Sequence, residues 1–409
     1  MLKTASTKTL SFTEFVALMA LMIALTAVSI DAMLPALPEI GSELGARQAN
    51  DSQLVLSWLF LGMAIGQLFY GPVSDSVGRK PTIYFGLALF IVGCILSIVA
   101  TNFQMMLFSR LLQGLGVAGP RSVAVAVVRD LFSGRMMARV MSFIMSVFIL
   151  LPIIAPAMGQ GILLFAGWRS IFGFLLILAV IVFVWFGWRQ PETLLPEQRI
   201  TFSARRISSA FREVLTSRIA LGFTIASGLF SGAFLGYLNS AQPVFQDQYQ
   251  LGTQFPLIFA IIAISSGLAS YLNARLVLRY GMRRLTTTAN TSLAILSILY
   301  LLYAYLQQGH PPLWTLIAYF LANFFAVGIM FGNLNSMAME PLGHIAGVGS
   351  AVVGSLASFI SIPIGAAIGR AFDGTVLPLI GGFAAMCVVT IFVMRWADSG
   401  GEGQLAAEA

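Results

Sequence analysis

The stretch "GPVSDSVGRKP", residues 71–81, separates two long apolar runs of the chain. Its glycines allow a tight turn of the backbone, and its charged side chains need water or a membrane surface. A second, degraded copy of the turn places Gly281 ahead of two arginines, 203 positions after Gly78. That spacing is close to half of the 409-residue chain. The two turns therefore predict a protein built from two similar halves.

The composition excludes a soluble globular protein. Hydrophobic residues make up 58% of the chain and charged residues 10%, and the mean hydropathy is +0.88, whereas soluble domains carry about 25% charged residues. The apolar runs reach the ~20 residues that a helix needs to cross a bilayer. We therefore expect an all-α membrane protein with twelve transmembrane helices. The predicted spans are 14–36, 53–73, 82–100, 104–128, 138–161, 168–188, 219–244, 255–276, 286–306, 313–336, 346–369 and 376–395.

The distribution of lysine and arginine predicts the orientation of these spans. If the N-terminus is cytoplasmic, 18 of the 23 Lys and Arg residues fall on the cytoplasmic side, as the positive-inside rule expects. Both ends of the chain are then cytoplasmic. Because topology explains the net charge of +7, that charge does not indicate a nucleic-acid partner.

The longest polar segment divides the chain into two six-helix bundles. We expect an N-terminal bundle at 1–188, a cytoplasmic linker at 189–218 and a C-terminal bundle at 219–409. Linker residues 203–215, "SARRISSAFREVL", suit an amphipathic helix on the inner leaflet and equally a solvated basic linker. Parallel six-helix repeats are an architecture of secondary transporters, which bind substrate between the halves.

The sequence lacks the features that would indicate an enzyme or a cofactor site. Cys94 and Cys387 lie in separate apolar runs, and His310 and His344 lie in separate loops. Neither pair has the spacing of a metal site. The stretch "GLGVAG", 114–119, has the letters of a dinucleotide-binding motif but lies inside a membrane span, where small residues favour helix packing. We expect no enzymatic activity, no metal and no cofactor.

Residues 71–81 resemble the loop signature of the major facilitator superfamily, which is a glycine, an acid, a second glycine and two basic residues. Two further resemblances are narrower. The helix at 110–130, "RLLQGLGVAG" to "VVRD", resembles the Arg-Gln-Gly helix of twelve-span drug:proton antiporters. "SIDAMLPALP", 29–38, and "HIAGVGSAVVGS", 344–355, resemble the bicyclomycin and chloramphenicol resistance subfamily. The signature residues are Gly71, Asp75, Gly78, Arg79 and Lys80.

The resemblance implies the major facilitator fold and a monomeric multidrug efflux protein of the bacterial inner membrane. Such a protein exports small, mostly neutral or amphiphilic drugs in exchange for protons by alternating access, and so confers antibiotic resistance. The signature loop would then act as a conformational gate. An alternative is proton-coupled export of a native metabolite, such as an amino acid or a sugar. A non-transporting membrane receptor or scaffold is an alternative of another class.

The fifth span departs from the antiporter pattern of this subfamily. "APAMGQG", 155–161, keeps two of the pattern's residues but has Ala155 and Gln160 where the pattern has glycine. Several relatives also carry a second acid where this chain has Ile23. These departures leave the substrate range and the proton stoichiometry open. We expect a hinge in this span at Pro152, Pro156 and Gly159.

Three charged residues lie well inside predicted spans, where a charge is costly. Asp31 and Arg110 lie ~8–9 Å from the outer ends of their spans, so they are at similar depth. Burial favours a protonated carboxylic acid, whereas a neighbouring arginine favours the charged form. We predict that Asp31 carries the proton and Arg110 sets its affinity; the alternative is that Asp31 caps its helix near the headgroups. Arg121 either faces the cavity, where it favours neutral or anionic cargo, or reaches Asp130.

The second half supplies amides and a phenol at membrane depth. With abundant Phe and Met, these groups suit an apolar pocket with a few polar anchors. Hydrogen bonds between helices are the alternative for each amide. The predicted substrate-cavity residues are Arg121, Tyr237, Asn239, Gln242, Asn323 and Asn335.

Overall fold

The structure is a computed structural model that describes residues 10–407. This part of the chain is almost entirely helical and contains fourteen α-helices. They are α1 (Phe12–Asp31), α2 (Leu37–Glu43), α3 (Leu54–Val77), α4 (Arg79–Ile98), α5 (Phe103–Leu131), α6 (Gly134–Phe165), α7 (Arg169–Arg189), α8 (Ala204–Thr216), α9 (Arg218–Gln242), α10 (Phe255–Tyr280), α11 (Met282–Leu306), α12 (Leu313–Met339), α13 (Ala346–Arg370) and α14 (Leu377–Ala407).

Within the described residues, all helices except α8 belong to segments long and apolar enough to cross a membrane, and α2 is the end of the first of these segments. Within residues 10–407 there are eleven such segments. One of them, Leu313–Arg370, is 58 residues long and contains both α12 and α13, so the described chain has the twelve predicted spans. Most helix ends lie within a few residues of the predicted boundaries.

The first span differs from its prediction, because α1 ends at Asp31 and not at residue 36. The chain then forms a 3-10 turn at Leu34–Ala36 and the short helix α2. Pro35 and Pro38 explain this break, since proline has no backbone N–H to continue the helical hydrogen bonds. The break places a carboxylate at a helix end inside the membrane-length segment.

The helices form two sets with matching contacts. In the first set α1 packs on α6, α3 on α5, and α4 on α5 and α7; in the second set α9 packs on α13, α10 on α12, and α11 on α12 and α14. The sets meet where α3 packs against α13 and where α6 packs against α10. The repeat predicted from the two turns is therefore visible in the packing.

The two turns are built alike in both halves, each from a single glycine with positive φ. Gly78 alone separates α3 from α4, with φ at +121°, and Gly281 alone separates α10 from α11, with φ at +78°. Positive φ values of this kind favour glycine, which has no Cβ to clash. Both turns lie on the side of the bundle that carries the 190–217 linker, which we call the linker side; the opposite side is the far side.

The linker contains helix α8, which packs on the second half. The buried side chains of α8, Ala210 and Val214, join an apolar cluster formed with α9 and α13. Glu213 forms an ion pair with His344, with Oε1 and Nε2 2.8 Å apart. The arginines of α8 point outward and are exposed. Residues 203–215 therefore form the helix of the first alternative, and this helix is held against protein on one face.

Candidate functional site

Asp31 lies at the broken end of α1, in the interior of the protein. It is 5% exposed, and within residues 10–407 it has no hydrogen bond or ion pair. Helix α6 passes very close to the break, because a Cβ on Gly159 would lie 1.7 Å from the carbonyl oxygen of Ala32. The acid is therefore fixed in place by packing and has no charged partner there.

The phenol of Tyr237, on α9, lies close enough to interact electrostatically with Asp31. Tyr237 is fully buried among the rings of Phe259, Phe320 and Phe324, and its Oη has no hydrogen-bond partner in the described chain. The 3-10 turn that follows Asp31 also contacts α9. A carboxyl group of the first half and a hydroxyl group of the second half, both without a hydrogen bond in the described chain, thus lie within electrostatic range of each other.

Arg110 is fully buried and binds backbone rather than an acid. Its Nη2 donates to the carbonyl oxygen of Ser29 at 2.8 Å, its Nε to that of Val55 at 3.3 Å, and its Nη1 to Oε1 of Gln113 at 2.5 Å. No ion pair joins it to Asp31 within the described residues. Arg110 therefore links α5 to α1 and α3, and it reaches the helix of Asp31 two residues before the acid.

Arg121 has a different environment on the same helix. Its side chain is exposed although protein surrounds it. The acid considered as its partner, Asp130, binds Arg79 instead, with 2.9 Å between Oδ2 and the Nε of Arg79. Arg121 has no hydrogen bond or ion pair to any residue in the 10–407 range.

The amide side chains predicted to line the substrate cavity differ in their burial and in their hydrogen-bond partners. Nδ2 of Asn239 donates to Oγ of Ser57 at 3.3 Å, and Oε1 of Gln242 accepts from Nε2 of Gln53 at 3.3 Å. Both bonds join the two halves, so in this conformation these amides make the interhelical hydrogen bonds that were the alternative. Asn323 is buried and donates to the hydroxyl of Tyr319 at 3.4 Å, and Asn335 is exposed.

The far side is closed by polar contacts between the halves. Nη2 of Arg370, at the end of α13, lies 2.8 Å from Oδ1 of Asp51, in the loop before α3. Nδ2 of Asn50 donates to the carbonyl oxygens of Arg370 and Phe372, at 3.1 and 2.7 Å. Deeper in the membrane, Oγ of Ser355 donates to the carbonyl oxygen of Ala64 at 2.9 Å. The conformation therefore has its inter-half contacts concentrated toward the far side.

On the linker side, the signature loop forms a network within the first half. Arg79 is 4% exposed; besides its bond to Asp130 it pairs with Asp75, and its Nη1 donates to Oγ of Ser74 at 2.8 Å. Nζ of Lys80 donates to the carbonyl oxygen of Gly187 at 2.8 Å. Gly71 lies in α3, one turn before Asp75. The loop therefore ties the ends of α3, α4, α5 and α7 together.

Glu192, in the linker, completes this network. Its Oε1 accepts the backbone N–H of Arg79 at 2.9 Å and its Oε2 accepts that of Lys80 at 3.0 Å. These are the first two residues of α4, whose free N–H groups and helix dipole favour a carboxylate. Glu192 thus caps the helix that begins in the signature loop.

The span predicted to contain a hinge is one continuous helix. Pro152 and Pro156 both lie inside α6, and Gly159 makes the close approach to Ala32. The hinge itself stays a prediction.

Three sets of contacts were not predicted. Gln113 had a usable signal, because it lies three residues from Arg110 on one helix face. Glu192 and the Asp51–Arg370 pair had none, because their partners are more than 100 and 300 residues away in sequence.

Known proteins with similar sequence or structure are membrane transporters. A family model described as the Major Facilitator Superfamily matches residues 19–366. The uncharacterized MFS-type transporter YdgK of Bacillus subtilis (strain 168) is 30% identical over 339 residues, covering 80% of this chain and 82% of the relative. The bicyclomycin resistance protein homolog of Haemophilus influenzae is 27% identical and covers 90% and 92%. A partially occluded inward-open structure of the xylose transporter XylE from E. coli shares the fold, with a TM-score of 0.72, 14% identity, and 94% and 97% coverage.

Proposed function

The chain belongs to the major facilitator superfamily, and from this premise we propose that it is a proton-coupled antiporter that exports small, mostly neutral or amphiphilic drugs by alternating access. It is a multi-pass membrane transporter and not an enzyme. The name of the bicyclomycin resistance homolog supports drugs as the cargo class. The observation that carries proton coupling is the buried Asp31.

Asp31 has the properties that a coupling acid needs. A charged carboxylate buried without a partner is costly, so a closed interface favours the protonated form. Because the acid lies where the halves meet, far-side opening separates it from α9 and admits water, which stabilises the charged form. The protonation state of Asp31 then depends on which side is open, and this dependence couples proton movement to the conformational cycle.

Arg110 has a positioning role in this proposal. Its bond to the carbonyl oxygen of Ser29 fixes the last turn of α1 and so the place of Asp31, two residues further on, through which Arg110 would set the proton affinity. The network of Asp75, Arg79 and Asp130 would act as a latch on the linker side. Its contacts join several helix ends, so a rocking motion must move them together or break them.

We also propose that the linker side is cytoplasmic, as the positive-inside rule predicts. The protein would lie in a bacterial inner membrane as a monomer, with both termini inside. Its units would be bundles at 1–188 and 219–409 joined by the 189–218 linker. This conformation, closed on the far side, is then inward-facing.

The proposal is tested in inverted membrane vesicles that are acidified inside. The luminal pH is recorded while compounds are added to vesicles with the native chain, Asp31→Asn or Glu39→Gln. The compounds are chloramphenicol, bicyclomycin, a wider drug panel, and a panel of amino acids and sugars. Glu39 is an exposed carboxylate eight residues further along the same segment, so its variant is a matched control. We expect drug-evoked proton release from the native chain and the control but not from Asp31→Asn. Release that survives in Asp31→Asn contradicts the role of Asp31, and release evoked only by a native metabolite favours the alternative cargo.

A further inference from the structure

Arg121 is an exposed arginine in the interior of the apolar helix α5. Many protein atoms lie around its side chain although its surface is accessible. Its Cα lies 11 positions after that of Arg110, about 16 Å along α5 and only ~20° around the helix. Arg110 faces α1 and α3 through its hydrogen bonds. Arg121 therefore points to the same inner side of the first half, where its side chain is accessible.

The positive charge of Arg121 is not neutralised by any residue that the structure describes. Asp75 and Asp130 both bind Arg79, and Thr193 also donates to Asp130. Asp31 lies at the depth of Arg110, roughly 16 Å away along the helix axis. Arg121 therefore differs from Arg110, whose donors are occupied by oxygen atoms of the protein.

An arginine with free donors is a good ligand for an oxyanion. Its planar guanidinium group binds a carboxylate through two parallel hydrogen bonds. The attraction is stronger than in bulk water, because the surrounding protein lowers the effective dielectric constant. The charged groups well inside the spans are two arginines and one acid. Their net charge is positive when the acid is charged and more positive when the acid is protonated. In both states the interior therefore repels a lipophilic cation.

We infer that Arg121 binds an anionic group of the cargo, and that the preferred substrates are amphiphiles with a carboxylate or a similar oxyanion. This inference rests on the proposed function for its place in transport and narrows the cargo class of that function. Cationic amphiphiles are then poor substrates. The charge selectivity follows from Arg121 alone and does not require the proton site.

The inference is tested by binding to the purified chain in detergent. The probes are chloramphenicol, its anionic hemisuccinate and its cationic glycinate, together with two other scaffolds that are each supplied as a neutral amide, a carboxylate and an amine. The variants are Arg121→Gln, Arg121→Lys and the control Arg135→Gln, which removes an exposed arginine at the start of α6. Thermal unfolding establishes that each variant is folded.

We expect the anionic member of a set to bind about tenfold more tightly than the neutral member, because only the charged oxyanion accepts two charge-assisted hydrogen bonds from the guanidinium group of Arg121. Arg121→Gln should remove that preference, Arg121→Lys should keep part of it, and Arg135→Gln should leave it unchanged. The inference is wrong if no scaffold shows an anionic preference, if the cationic members bind best, or if the preference survives in Arg121→Gln. Since binding is measured without a proton gradient, failure of proton coupling leaves this result intact and is recognised separately.

Discussion

Replacing Asp51 with Asn should weaken the far-side closure between the two halves. The carboxylate of Asp51 pairs with Arg370, at 2.8 Å to Nη2 and 3.2 Å to Nε. The Asp51 side chain is 12% exposed and that of Arg370 is 54% exposed. Because Arg370 is more than half exposed, water solvates it after the pair is lost, and the cost stays near that of a surface ion pair.

The expected effect is a modest shift of the conformational equilibrium. Ion pairs of this exposure contribute about 1 kcal/mol or less, which corresponds to an about fivefold larger ratio of far-side-open to far-side-closed molecules. The bonds from Asn50 to two backbone carbonyl oxygens remain in the variant and hold much of the closure. The double exchange Asp51→Arg with Arg370→Asp restores the pair with opposite polarity and should restore the native ratio.

The shift is measured by pulsed electron spin resonance between labels at Thr101→Cys and Gln307→Cys. Both positions are exposed on the far side, one in each half, and the native Cys94 and Cys387 are buried. Asp373→Asn serves as the control, because among the described residues its carboxylate bonds only to Thr375, within its own loop. A distance distribution that is unchanged by Asp51→Asn, or that stays shifted in the double exchange, would refute the reasoning.

Two further substitutions test the packing around the proton site. Gly159→Ala should lower the free energy of unfolding by about 1–3 kcal/mol, since its Cβ would lie 1.7 Å from the carbonyl oxygen of Ala32. Gly161→Ala, which meets no atom within 4 Å, should not destabilise the protein in the same thermal unfolding assay, because alanine is the better residue inside a helix. Arg110→Lys should lower the unfolding temperature and transport together, because a single ammonium group cannot reach all three oxygen acceptors of Arg110, whereas Arg135→Lys should change neither. Equal stability within either pair contradicts the corresponding contact.

The fold could be predicted from the sequence because the patterns that indicate it are local. Each span is a continuous apolar run of membrane length. Each repeat turn is formed at one glycine, Gly78 or Gly281, where the sequence already predicted a tight turn and where φ is positive. The break at Asp31 was missed because the apolar run continues beyond it. Pro35 and Pro38 indicated an exit from the span but not the residue at which the helix ends.

The contacts of the candidate site depended on pairings that no local pattern encodes. Depth alone placed Asp31 near Arg110, but the guanidinium group binds the carbonyl oxygen of Ser29 instead. Every residue has a backbone carbonyl group, so the sequence does not indicate which carbonyl oxygen accepts a given hydrogen bond. Likewise, the approach of Tyr237 to Asp31 depends on how the two halves dock, which is set by packing along α3, α6, α10 and α13.

Transport by the purified chain in proteoliposomes gives the most direct test of proton coupling through Asp31. The substrate is the compound that evokes the most proton release in the vesicle experiment. Two modes of its transport are compared. The first is exchange of labelled for unlabelled compound without a pH gradient, and the second is accumulation driven by an imposed pH gradient. The native chain should perform both, and Asp31→Asn should retain exchange but lose gradient-driven accumulation, because only the second mode needs a proton carrier. Accumulation by Asp31→Asn at the native level would contradict the assignment of Asp31 as the coupling acid.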